Sequence, residues 1–152
     1  MPDTQGHHLD EEMLQCIEVC TDCHKACLQT IPYCLQQGGH HAEPNHIRLM
    51  MDCAEICQTS ANFMLRGSDL HHHTCAACAE VCEGCAVDCD RMADDTRMAA
   101  CAEMCRRCAE SCRRMSHQMG VRGRHIVRKF LPGELLCEVS IISFVSAARP
   151  CF

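Results

Sequence analysis

The chain has 152 residues, enough for one domain with a modest core, and 14 basic against 20 acidic side chains give a formal charge of −6. There is no basic excess to neutralise phosphates, and one Tyr, four Phe and no Trp offer no stacking platform, which excludes nucleic acid as the main partner. The outlying content is 18 Cys beside 10 Met and 11 His, all soft or borderline metal ligands.

The N-terminal stretch MPDTQGHHLDEEM has no basic start, apolar run or twin arginine. The expectation is a cytoplasmic chain with no export, whose thiols stay reduced. Clustered reduced thiols point to metal rather than to a secreted disulfide scaffold.

Stop signals and periodicity predict four helices. The first runs from Asp10, as N-cap, to Gln37, where Gly38-Gly39 ends it, and Pro32 inside it predicts a kink. The second starts at Pro44, suited to a first turn, and stops at Gly67. Ser68 or Asp69 caps the third, which reaches about Met92, and Asp94 or Asp95 caps the fourth, which ends at Gly120. Short connections make successive helices antiparallel neighbours. The expected fold is all-α: an antiparallel four-helix bundle over residues 1–120, then a C-terminal tail over 121–152 whose structure the sequence does not specify.

Each helix carries one stripe. The first offers Met13, Cys16, Cys20, Cys23, Cys27, Thr30 and Cys34; the second offers His46, Met50, Cys53, Cys57 and Met64. The third offers His71, Cys75, Cys78, Cys82, Cys85, Cys89 and Met92; the fourth offers Met98, Cys101, Cys105, Cys108, Cys112, Met115 and Met119. Steps of three and four keep such a set on one face, with neighbours roughly 5–6 Å apart at Cβ.

A stripe at helical spacing is ordinarily core, and free cysteine packs as a small hydrophobe. Between His71 and Met119, however, there is no Leu, Ile, Phe, Tyr or Trp. Cysteine buries far less area than leucine, so as packing alone this core is thin. The thiols are inside for their chemistry.

Four facing stripes place 16 thiols in a tube, five, two, five and four from successive helices. Thiolates select Cu(I), Zn(II) or iron–sulfur clusters. Iron–sulfur ligands come in short loop runs, which are missing here. Structural zinc closes separate tetrahedra, and each tetrathiolate site buries two negative charges at a cost on the order of several kcal/mol per ion. One Cu(I) balances one thiolate, and bridging sulfurs suit a continuous line of thiols. The arrangement favours multiple Cu(I) ions per chain, with a metallothionein-like zinc protein as the alternative. The CxxC pairs lie mid-helix and inward, unlike those of a thiol oxidoreductase, so no enzyme activity and no catalytic residue is expected.

The expected metal ligands are Cys16, Cys20, Cys23, Cys27, Cys34, Cys53, Cys57, Cys75, Cys78, Cys82, Cys85, Cys89, Cys101, Cys105, Cys108 and Cys112. Met50, Met64, Met115, Met119, His46 and His71 are candidate uptake ligands at the stripe ends, while His40, His41, His72 and His73 are expected to be exposed. Residues 121–152 change character: VRGRHIVRK is basic and LLCEVSIISFVSAA is apolar, too short and too interrupted by Glu138 for a membrane span. Cys137 and Cys151 are not assigned to the metal site.

The CxxxCxxCxxxC runs at Cys16–Cys27 and Cys101–Cys112, the CxxCxxxCxxCxxxC run at Cys75–Cys89, and the CxxxC of Cys53 and Cys57 resemble the bacterial copper storage proteins, over about residues 8–119. The resemblance, to the cytosolic branch, implies a four-helix bundle whose interior cysteines hold many Cu(I) ions for storage and detoxification. It also implies a homotetramer; a copper chaperone is a candidate partner. The tail departs from the family pattern.

Overall fold

The computed structural model describes residues 10–117, which form helices α1 (Glu11–Gln37), α2 (Pro44–Leu65), α3 (His71–Asp90) and α4 (Thr96–His117), with a 3-10 turn at Gly39–Ala42. Each helix packs on two neighbours in the ring order α1–α2–α3–α4, closed by α4 on α1, giving the expected up-down bundle. Met119, the fourth helix's expected end at Gly120, and the tail with Cys137 and Cys151 lie outside the described residues.

The helix starts follow from their caps. Asp10 Oδ1 accepts the Met13 N–H at 2.7 Å, and Glu11 and Glu12 place negative charge in the first turn of α1. Pro44 occupies the first turn of α2. Asp95 Oδ1 accepts from the Arg97 N–H at 2.8 Å and the Met98 N–H at 3.4 Å, capping α4. Gly38 (φ 71°) and Gly67 (φ 62°) turn the chain out of α1 and α2 in the left-handed region, where a side chain is strained. Helix α1 runs through Pro32 without interruption, although the ring removes the donor to the Leu28 carbonyl.

Two boundaries differ from expectation. Leu70, not Ser68 or Asp69, stands at the start of α3, with no side-chain cap; Ser68 instead folds the turn, its Oγ accepting the Leu70 N–H and its carbonyl the His71 N–H. Helix α3 ends at Asp90, and Met92 lies in the following turn, half-buried against the core. That turn, closed by the Asp95 N–H on the Met92 carbonyl at 2.9 Å, brings Asp95 round to cap α4.

The interior is built from small side chains. Beside the thiols, Ala54 and Ala61 on α2, Ala79 and Ala86 on α3, and Ala102 and Ala109 on α4 are buried at seven-residue spacing. Small residues let helix axes approach toward the short end of the usual 8–10 Å range, which brings opposed sulfurs into contact. Outside, Arg113 pairs with Glu83 at 2.6 Å and Arg106 with Asp90, tying α4 to α3, while Arg114 reaches Glu12 of α1 at 3.4 Å. Such exposed pairs contribute at most about 1 kcal/mol each. No helix among the described residues is long and apolar enough to cross a membrane.

Candidate metal centre

All 16 expected cysteine ligands are buried as free thiols on the bundle axis. The stripes set which side chains face inward, and the antiparallel packing sets which sulfurs meet. Cys16 contacts Cys112 at 3.9 Å, Cys112 contacts Cys20 at 3.4 Å, and Cys108 donates to Cys20 at 3.8 Å. From Cys108 the path crosses the axis to Cys57 at 3.6 Å, then passes to Cys82 at 3.4 Å and Cys53 at 3.5 Å. Cys53 touches Cys23 and Cys105, each at 3.9 Å, and Cys105 touches Cys27, also at 3.9 Å. A connected column of sulfur therefore runs along the interior.

Four quartets bring their sulfurs within 4.8 Å of one another: Cys20/Cys78/Cys108/Cys112, Cys57/Cys78/Cys82/Cys108, Cys23/Cys53/Cys57/Cys82 and Cys23/Cys27/Cys53/Cys105. Cys23, Cys53, Cys57, Cys78, Cys82 and Cys108 each belong to two of them. Separate zinc tetrahedra need four ligands of their own. Shared sulfurs instead suit bridging thiolates and monovalent soft ions, in keeping with the preference read from the stripes.

The protonation of the column follows from its contacts. Hydrogen bonding with Cys108, Cys101 and Cys108 in turn holds the Cys57, Cys105 and Cys112 thiols above their ordinary range, and burial adds to it. Cys53, Cys78 and Cys108 are drawn down by Cys105, Cys108 and Cys112 respectively, because a sulfur that accepts its neighbours' hydrogen bonds ionises most readily. The column titrates as a unit. Cys34, whose hydrogen bonds go to His and Met rather than to another thiol, is pushed up to about 11, by burial first and then by Cys101 and Asp95.

The candidate uptake ligands divide between the two ends of the tube. At the end formed by the start of α1 and α3, Met64 and Met115 are fully buried and Cys75 donates to the Met64 thioether at 3.9 Å. His71 opens α3 there; its Nδ1–H donates to the Ser68 carbonyl at 2.8 Å, and its Nε2 is buried without a partner. At the opposite end, His46 is 1% exposed and lies against Cys34 and Asp88. Met50 is buried between His46 and Cys53 along α2. His40 and His73 are exposed as expected, but His41 and His72 are half-buried, and His41 Nε2 contacts Asp95 at 3.1 Å. Asp88 went unnoticed in the sequence; its one readable sign was a carboxylate one residue before Cys89, at the edge of the stripe.

Fold and site together define a cysteine-lined helical bundle built to hold soft metal ions. The copper storage protein family model matches residues 9–117, and the chain belongs to that family. It is 46% identical to a protein of Nitrosospira multiformis, with a TM-score of 0.67 over 70% of this chain and 96% of that one. It is 38% identical to the Cu(I)-bound copper storage protein BsCsp3, with a TM-score of 0.65 over 70% of this chain and 99% of the other. It is 32% identical to a cytosolic copper storage protein of Streptomyces lividans, solved with five coppers, with a TM-score of 0.63 over 72% and 96% of the two chains.

Proposed function

We propose that this chain stores Cu(I) at high capacity, so limiting free copper, by binding many ions to the thiolates of its core. The observation that carries this reading is the sharing of six sulfurs between adjacent quartets. A column of that kind suits bridged copper and disfavours isolated tetrathiolate zinc. BsCsp3 binds Cu(I), and the Streptomyces lividans relative is a cytosolic copper storage protein that loads copper. Both support the same activity and the same compartment for this chain.

The 16 core cysteines are the ligands, with no catalytic step required. His71, Met64 and Met115 are the soft donors at the mouth where copper is taken up, and the partnerless Nε2 of His71 supports that role. The bundle is the storage domain; Cys137 and Cys151, in residues 121–152, are not assigned as ligands.

The chain assembles as a homotetramer. Leu14, Leu28 and Leu35 support this, being exposed on α1 at multiples of seven residues and so on one outward face. A copper chaperone is the partner expected to deliver the metal.

The test is an anaerobic titration of reduced protein with Cu(I), then separately with Zn(II), against a competing chromophoric chelator. Storage requires roughly one Cu(I) withheld per core thiolate, well above the roughly four zinc ions that the same thiols can enclose tetrahedrally. Retention of about four of either metal contradicts it.

A further inference from the structure

At the end of the tube away from His71, each of the four helices contributes one residue to a small polar cluster. Cys34 comes from the last turn of α1, His46 from the first turn of α2, Asp88 from the last turn of α3 and Met98 from the first turn of α4. Cys34 and Met98 are fully buried and His46 is 1% exposed. The Cys34 sulfur lies 3.6 Å from His46 Nε2 and 3.6 Å from the Met98 thioether. None of the four sulfur quartets includes Cys34.

We infer that Cys34, His46 and Met98 form a separate mixed-donor site for one Cu(I) ion, with Asp88 as its positioning residue. The inference rests on the storage reading and goes beyond it, because the thiolate column needs neither imidazole nor thioether. It also moves His46 from copper uptake to a terminal binding site.

The orientation of His46 carries the argument. A carboxylate only accepts, so the Asp88 oxygen at 2.6 Å fixes the proton on His46 Nδ1. In the neutral ring, Nε2 then turns its lone pair toward Cys34. A carboxylate behind the remote ring nitrogen is the usual support for a metal-binding histidine. Asp88 is itself held by Arg91 at 2.8 Å, which leaves its charge balanced before any ion arrives.

The spacing fits a metal. Bonds of roughly 2.0 Å to nitrogen and 2.3 Å to sulfur, meeting at a trigonal angle, separate nitrogen from sulfur by about 3.7 Å and sulfur from sulfur by about 4.0 Å. The observed separations fall within a few tenths of an ångström of these values. One thiolate with two neutral soft donors gives a neutral site with Cu(I), and the thioether disfavours zinc. On binding, Cys34 gives up its thiol proton to solvent, and the sulfur–copper bond replaces the contacts that this one proton shares between the Met98 thioether and His46 Nε2.

The test is NMR of the reduced full chain, labelled with 15N in histidine and 13C in the methionine methyls, while Cu(I) is added in steps under anaerobic conditions. Thiolate-to-copper absorbance is recorded in parallel. The expected result is that His46 Nε2 and the Met98 methyl shift together within one equivalent, while Nδ1 keeps its proton. Two variants follow the same site. Met98→Leu should withhold one Cu(I) fewer against chelator, and Asp88→Asn should hold that ion about 10–100-fold more weakly, with helicity unchanged in both. If the absorbance saturates while His46 and Met98 stay unmoved, the site is overturned and storage in the thiol column stands. If the two signals shift without growth of the multi-copper absorbance, the site stands and high-capacity storage falls.

Discussion

Cys57 on α2 and Cys108 on α4 approach to 3.6 Å across the diagonal of the bundle, where the helix backbones do not touch. Cys57 also contacts Cys82 at 3.4 Å and Cys78 at 3.7 Å, and so joins three helices through one sulfur. Because it belongs to two quartets, its loss disturbs more than one ion. Cys57→Ala is expected to lower retained Cu(I) by about two per chain, since bridging sulfurs are shared. Chelator-competed titration measures this, and loss of a single ion would show that Cys57 does not bridge.

The metal-free protein should already be folded. The caps at Asp10 and Asp95 and the buried alanines of α2, α3 and α4 do not depend on copper, and protonated thiols pack as small apolar groups. Far-ultraviolet circular dichroism of the reduced apo-protein is expected to show nearly the helicity of the loaded form. A largely unfolded chain that gains helix only with metal, as zinc fingers do, contradicts this.

Copper loading should release protons. Cys34, pushed up to about 11 by burial and then by Cys101 and Asp95, is protonated at pH 7 and must give its proton up to bind. The coupled column behaves alike for those sulfurs its neighbours hold above the ordinary range. Since a raised pKa favours the thiol, lowering the pH strengthens competition from protons and weakens copper retention. A pH-stat titration at pH 7 should record proton release on loading, supplied by Cys34 and by the raised thiols. It should amount to less than one proton per Cu(I), since Cys53, Cys78 and Cys108 are already drawn down. Loading without any proton release means that the raised thiols were ionised beforehand.

A chain ending at residue 120 should hold as much Cu(I) as the full chain. The proposed ligands all precede that point, and the family match spans residues 9–117. Capacity of the two chains, compared at equal chelator concentration, tests this; a drop of about two ions would bring Cys137 and Cys151 into the site.

Much of this architecture was legible in the chain because its signals are local. Steps of three and four place each thiol on an inward face, and Asp10, Pro44, Gly38, Gly67 and Asp95 mark helix ends by their own backbone chemistry. The meeting of α2 with α4 through Cys57 and Cys108 was not readable, because spacing within a helix says nothing of how far it slides along its neighbours. The Asp88–His46 pair was hidden for the same reason: the residues lie on different helices and meet only through the register that packing imposes. Met92 illustrates a different limit. Its spacing continued the α3 stripe, but the chain had to leave the helix for Asp95 to cap α4.

X-ray absorption at the copper edge of the fully Cu(I)-loaded, reduced protein tests the bridged thiolate column most directly. The account predicts a first shell dominated by two or three sulfurs per ion, with a distinct copper–copper shell from ions that share thiolates. A first shell dominated by nitrogen or oxygen, or sulfur ligation with no copper–copper scattering, would contradict it.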